Sequence, residues 1–401
     1  MSNNGVLNKK TYDSVKLGEV LISAKGKKPK FVASEPSDGW LPYINIKAFE
    51  QHVFDEYTDG ENCLPCEDGD LLMVWDGSRS GMVGKAYKGY VGSTLAKISV
   101  PGVTNEFLYY FLQGKYRILN SKVKGTGTPH VNPEILGNFD FPIIPMEEQL
   151  RIIAKIEELF SELDKGVEAL QKMKMQLKLY RQAVLKDAFD RYKSFSNITN
   201  YFDVSGGLTL NSRRNVLPIK MPYLRVANVY YNFIDLTDIK EIGVKENEID
   251  RTLLKEQDLL IVEGNGSKEQ IGRVSIWNGQ IKQCLHQNHI IKARPNGSML
   301  SKFALYYLMS KDGRNQILEV ASSTSGLYTL SIGKVKNLQV PTCSLEEQRE
   351  IISIIENRIS VCEHIEKSID VAEIQAESLR QSILQMAFEG KLVTHEEEIN
   401  V

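Results

Sequence analysis

The chain has 401 residues, 42% of them hydrophobic, and 49 Lys+Arg against 51 Asp+Glu for a net charge of −2. A chain of that hydrophobic content need not be disordered or fibrous, and the charge balance excludes a uniformly basic coat, so any nucleic-acid surface must be a local patch. The polar start, the absence of an apolar run near the roughly 20 residues of a membrane helix, and five scattered cysteines (Cys63, Cys66, Cys284, Cys343, Cys362) point to a soluble cytoplasmic protein with reduced thiols.

Residues 1–145 read as mixed α/β. The basic stretch holding Lys27 and Lys28 suits phosphate contact or a solvated loop equally. Cys63 and Cys66 form a CxxC without a second ligand pair, so ordinary thiols are expected rather than zinc. The apolar run 71–75 reads as a strand and leads into Trp75–Lys85, a loop of glycines and hydroxyls with Ser78, Arg79, Ser80 and Lys85. Such groups bond phosphates, and an arginine can read guanine bidentately. Asn105–Gln113 reads as a helix, and a polar loop follows with Thr128 and His130 as further base-reading candidates.

Residues 147–191 contain no proline and carry an apolar seam in steps of three and four: Ile156, Leu159, Leu163, Gly166, Leu170, Met173, Leu177, Tyr180, Val184. Residues 194–343 repeat the mixed pattern. Arg213 and Arg214 answer the first basic stretch, and the run 259–262 leads into a second glycine-rich loop with Asn265, Ser267, Lys268 and Arg273. Ser301–Ser310 reads as a helix, and the polar segment 322–328 adds Ser325 and Tyr328 as candidates. A second proline-free helix follows, with the seam Ile355, Arg358, Cys362, Ile365, Ile369, Ala372, Ala376, Leu379, Ile383.

Self-comparison shows why the second half reads like the first. Shifted by 199 residues, 147–191 lies on 346–390 without a gap, with 14 identities in 45 positions clustered at the two ends. Upstream the match is weaker but ordered: Leu41–Ile44 answers Met221–Leu224, Asp70–Val74 answers Asp258–Val262, and Tyr109-Tyr110 answers Tyr306-Tyr307. At 1.5 Å per residue each long helix would span roughly 65–70 Å. Residues 165–193 hold eight basic and three acidic residues, whereas 346–379 hold nine acidic and three basic. Those charges predict an antiparallel coiled coil within the chain.

Catalytic signatures are missing from the sequence. There is no Pro-Pro for the loop of a DNA amino-methyltransferase, and Gly84-Lys85-Ala86 and Gly390-Lys391-Leu392 both fail the phosphate-loop pattern. Glu389-Gly390-Lys391 is most simply a helix end with glycine as its cap.

The doubled order of four features resembles the DNA specificity subunit of type I restriction–modification systems. They are the helix entries Pro145–Gln149 and Ser344–Gln348, the exits Arg181–Leu185 and Arg380–Leu384, the opening Lys16–Val20, and the Pro-Tyr-Ile/Leu segments at 42–44 and 222–224. The second entry departs by having Ser344 where Pro145 stands.

The resemblance implies an α+β, non-catalytic subunit with an internal pseudo-twofold repeat. It would comprise target recognition domains at 1–145 and 194–343 and conserved helical regions at 146–193 and 344–401, the helices acting as a spacer. Each domain would read one half of a bipartite site in double-stranded DNA. The helical regions would bind two methyltransferase subunits, through Glu148, Gln149, Arg181, Gln182 and Phe189 and through Glu347, Gln348, Arg380, Gln381 and Phe388. The chain itself would need no metal or cofactor. S-adenosylmethionine would belong to the methyltransferase, and ATP and Mg to a motor-nuclease partner. A second reading, a coiled-coil adaptor that binds only proteins, predicts no salt-sensitive DNA binding.

Overall fold

The computed structural model describes residues 12–122, 129–324 and 326–392. It divides into two compact units: the chain up to Leu170 together with residues from Val371 onward, and Gln171–Asp370.

In the first unit the run Leu71–Val74 is a strand buried along its whole length. It sits in an antiparallel sheet in the order Ile22–Lys25, Leu95–Ser99, Leu71–Val74, Val83–Lys85. Successive strand residues point to opposite faces. Leu71 and Met73 therefore join the core with Phe107, Phe111 and Phe141, while Leu72 and Val74 join one with Ile44, Phe49 and Val91. Two apolar layers cover this strand, which is why its sequence shows no polar alternation. The second unit repeats the sheet with Phe202–Gly206, Ile290–Pro295, Leu259–Val262 and Val274–Ile276 in the corresponding order. Again Leu259 and Ile261 serve one core and Leu260 and Val262 another.

The Pro-Tyr segments form equivalent strands. Leu41–Ile44 pairs in parallel with Gly89–Val91, and Ile219–Leu224 in parallel with Leu285–His286. Each domain closes by pairing its two ends, Ser14–Lys16 with Asp140–Pro142 and Phe195–Asn197 with Gln339–Pro341.

The long helices are Met146–Phe189 and Leu345–Phe388, offset by the 199 residues of the sequence repeat. Their entries differ for a local reason. Pro145 precedes the first. Ser344 caps the second: its hydroxyl accepts from Glu347 N, and the Glu347 carboxylate accepts from Ser344 N at 2.8 Å, a reciprocal capping box. Glu347, predicted to face a partner, thus serves the helix start.

The clustered identities also have a packing reason. In the first unit Ile152, Ile153 and Ile156 from the start of one helix share a core with Ile383, Leu384 and Ala387 from the end of the other. In the second unit Ile351, Ile352 and Ile355 share a core with Val184, Leu185, Ala188 and Phe189. Each domain holds one helix start and one helix end, so the same packing problem is solved twice.

Within each unit the helices pair antiparallel. In the second, Arg181 donates bidentately to Glu366 (2.9 and 2.7 Å), with Lys174–Asp370 at 2.7 Å and Arg358–Asp187 at 3.1 Å. In the first, Arg380 pairs with Asp164 and lies over the Phe160 ring at 4.2 Å. Lys174–Asp370 and Arg181–Glu366 join the basic and acidic stretches as their charges predict, whereas Arg358–Asp187 joins them with the signs reversed and Arg380–Asp164 lies just outside both.

The seam corrects the expectation on one flank. Met173, Tyr180 and Leu379 are 43%, 48% and 49% exposed, and Gly166 and Arg358 also face solvent. Phe160, Val167, Lys174 and Arg181, and Ile359 and Arg380, turn inward instead. Long basic side chains bury their stems while their heads reach acids across the pair, so an apolar count alone misplaced the flank.

Replacing Lys174 and Arg181 together with Glu should lower stability by about 2 kcal/mol, read as a fall in melting temperature. Adding Glu366→Arg and Asp370→Lys should restore most of it; no recovery would show that these ion pairs do not hold the helices.

Candidate nucleic-acid interface

In the first unit the loop after Leu71–Val74 is built around glycine turns. Gly77 and Gly81 adopt φ of 117° and 92°, and a Cβ on Gly81 would meet Leu119 Cβ at 2.7 Å. Gly77 N donates to Pro129 O (2.7 Å), Val131 N donates to Trp75 O, and Asp76 bridges His130. The structure thus brings the loop beside His130; Thr128 lies outside the described residues. Asn120 Nδ2 donates to the carbonyls of Ser78 and Ser80 (2.9 and 3.2 Å), and Lys25 pairs with Asp76 at 2.5 Å.

Lys27, Lys28 and Ser78 are exposed. Arg79 is 56% exposed and paired with the nearly buried Glu50, in a cavity of about 270 Å³ that Ser78 and Thr94 also line. Lys85 pairs with Glu106 at 3.0 Å, and that ammonium holds the Glu106 carboxyl below its usual range. Ser80 corrects the expectation: it is fully buried, and its hydroxyl donates to Gly77 O (2.6 Å) and Pro129 O (3.2 Å). It clasps the loop from inside.

The second unit repeats this construction. Gly264–Asn265 pairs with Leu327–Thr329, which pairs with Ser322–Thr324, so the two predicted segments form one small sheet with Asn265 opposite Tyr328. Ser325 lies outside the described residues. Asn265 Oδ1 accepts from Ser267 N (2.9 Å), and Ser267 Oγ donates to Glu269 (2.7 Å). Gly272, at φ 64°, leaves a Cβ only 2.5 Å from Ile317 Cγ2, as Gly81 did against Leu119. Lys268 is exposed.

Two predicted arginines are committed to the fold. Arg273 is 7% exposed, donates to Val226 O (3.0 Å) and lies over the Tyr230 ring at 5.0 Å; burial lowers its pKa. Arg214 donates bidentately to Glu248 (3.0 and 2.9 Å) and to the carbonyls of Thr209 and Gly243, and its hydrogen bonds, with that from Lys245 N, lower the Glu248 carboxyl to about 2. Its neighbour Arg213 is exposed. Arg314, which no pattern flagged, holds the loop: it donates to Ile271 O (2.6 Å) and lies over the Tyr231 ring at 5.3 Å, while Tyr231 OH donates to Glu269 O (2.6 Å).

Most repeated residues predicted to bind partners anchor the helix ends instead. Gln149 is 1% exposed; Thr104 N donates to its Oε1, and its Nε2 donates to Gly102 O and Ile144 O. Gln348, fully buried, accepts from Leu300 N and donates to Cys343 O. Glu148 is nearly buried and accepts from Tyr12 OH. Phe189 is 3% exposed, and Phe388 packs edge-on against Phe107 and Phe111. Arg181 and Arg380 are taken up by the helix pairing. Gln182 is exposed and lines a cleft with Lys268, and Gln381 is half-buried.

The apolar groups the helices do expose were hidden by the misplaced seam. Met175 and Ile374 are 65% and 69% exposed and lie 199 residues apart, as do Tyr180 and Leu379.

Other candidates resolve simply. Cys63 and Cys66 are free thiols. His286 is buried beside Lys292, and burial drives its pKa down to about 3. His289 Nδ1 contacts Glu263 at 3.0 Å. Among the described residues no cluster of His, Cys, Asp and Glu is placed to hold a metal, and no helix is long and apolar enough to cross a membrane.

The family model described as the type I restriction modification DNA specificity domain matches twice, at residues 9–172 and 193–374. The chain is 24% identical over 411 residues to the type I restriction enzyme MjaVIII specificity subunit of Methanocaldococcus jannaschii, covering 95% of this chain and 93% of that one. It is 28% identical over 292 residues to the EcoKI specificity subunit of Escherichia coli K12, covering 68% and 62% of the two chains. A structure described as the basis of complex assembly and conformational transition of the type I R-M system superposes with a TM-score of 0.69 at 18% identity, covering 95% and 98%. The HsdS subunit from Thermoanaerobacter tengcongensis superposes at 0.54 and 18%, covering 97% and 100%. With two family domains spanning most of its length and one construction repeated in both halves, this chain belongs to the family of type I restriction–modification DNA specificity subunits.

Proposed function

We propose that this chain is the sequence-reading subunit of a type I restriction–modification complex, each domain reading one part of a bipartite site. The observation that carries this reading is the doubled recognition loop, turned at its glycines and exposing Ser78 and Arg79 in one unit and Lys268 in the other. Fixed loops with a few projecting polar groups suit base-edge and phosphate contact. The repeat-related apolar pairs, Met175 with Ile374 and Tyr180 with Leu379, suit two copies of one partner, the methyltransferase. Target adenines would flip into that partner's pocket, so S-adenosylmethionine belongs there, and ATP and Mg belong to a motor-nuclease subunit.

The test is genome-wide mapping of N6-methyladenine in a host lacking other methyltransferases, expressing this chain with its adjacent methyltransferase or that methyltransferase alone. A split motif should be methylated only with this chain present. Arg79→Ala should relax one half of that motif, by about 1–3 kcal/mol where the side chain reads a base, and Lys268→Ala should lower methylation of the motif without changing the bases read. A stable complex that methylates no motif would favour the adaptor reading.

A further inference from the structure

In the second unit a cleft of about 610 Å³ opens between the recognition loop and the first long helix, lined by Lys178, Gln182, Tyr231, Lys268, Gln270 and Arg314 among others. Lys178, Lys268 and Arg314 form no ion pair among the described residues. Glu269 also faces the cleft, its carboxylate accepting from Ser267 Oγ. Three cations thus face one carboxylate, with the amides of Gln182 and Gln270 as neutral donors. Exposed lysines alone say little, because water solvates them well.

The internal repeat supplies the comparison. The residue 199 positions after Lys178 is Glu377, and in the first unit Glu377 is paired with Arg117 at 3.5 Å. Arg117 and Arg314 are related by the 197-residue offset of the tyrosine pairs. Where one half neutralises its arginine from the long helix, the other places a second cation. The exchange leaves the cleft of the second unit without the acidic partner that the long helix gives Arg117 in the first.

We propose that this cleft seats a backbone phosphate of double-stranded DNA, held by Lys178 and Lys268 beside the loop that reads the second half-site. The position of Lys268, on that loop and in the cleft at once, favours a phosphate next to a read base over an acidic protein segment. The inference rests on the DNA-reading assignment above. It makes Lys178, on the helix outside the recognition domain, a sequence-independent contact that sets affinity without selecting bases.

The test uses this chain assembled with its methyltransferase, titrated by fluorescence anisotropy against a duplex carrying the methylated motif and one of random sequence, over roughly 50–200 mM salt. Lys178→Glu should weaken both duplexes by the same factor, about tenfold, and reduce the salt slope by about one; Lys178→Gln should do so more mildly. Glu377→Lys, which releases Arg117, should tighten both duplexes and steepen the slope. Salt-sensitive wild-type binding with both Lys178 variants unchanged would overturn the phosphate site. Loss of methyltransferase association in those variants, seen by size-exclusion chromatography, would also overturn it and assign the cleft to a protein segment. Absence of any salt-sensitive binding by the wild-type complex would instead sink the DNA-reading assignment itself.

Discussion

Replacing Asp258 with Asn should lower the stability of the second half by about 3 kcal/mol. Asp258 is fully buried at the foot of the central strand Leu259–Val262. It accepts Arg294 Nε and Nη2 at 2.8 and 2.7 Å, and Lys255 N at 2.7 Å. Lys292 lies next to Arg294, its pKa pushed down to about 8 by burial and by that neighbouring charge. Removing the carboxylate leaves two cations uncompensated and a turn amide weakly bonded, and breaking such a pair costs far more than forming it gains. Hydrogen exchange should show lost protection in 202–295 with 22–99 unaffected. Adding Arg294→Met should recover part of the loss, because the uncompensated guanidinium is then gone. Unchanged protection in the single variant would show that this pair contributes little.

Gln149→Leu should cost about 3 kcal/mol and Gln348→Leu about 2. Each glutamine is buried and satisfies backbone groups from separate elements: Thr104 N, Gly102 O and Ile144 O for Gln149, and Leu300 N and Cys343 O for Gln348. Leucine fills the space but leaves those groups dry and unbonded, which costs about 1–3 kcal/mol for each buried donor or acceptor. The measurements are urea unfolding and binding of the methyltransferase by the folded fraction. Reduced stability with normal partner binding supports the anchor role. Normal stability with lost binding would return both glutamines to the partner surface that their repetition in sequence suggested.

Those glutamines show how a repeat can mislead. Residues recurring at a fixed offset signal a shared constraint, and here it is helix-end packing: Glu148, Gln149, Phe189, Gln348 and Phe388 all hold domains to helices. The exposed pairs Met175/Ile374 and Tyr180/Leu379 share the offset without sharing identity, so residue identity across the repeat does not mark them.

The sequence by itself determined the architecture. Proline-free runs with steps of three and four can only bury their apolar stripe as long helices, opposite charge stretches fix their antiparallel pairing, and a 199-residue self-match requires two domains of one plan. Both recognition loops were also legible, since glycines and hydroxyls after a buried apolar run mark a loop held by a strand. Only the tertiary structure decided which polar side chains are available. Arg79 and Arg273 look alike in their loops, yet the first is 56% exposed and the second 7%. The difference comes from Val226 and Tyr230, which lie more than 40 residues away in the chain and reach Arg273 only once it folds. Local patterns encode the backbone because it answers to neighbouring residues. Exposure and pairing answer to distant ones, which is why Lys178 and Arg314 become one site only in three dimensions.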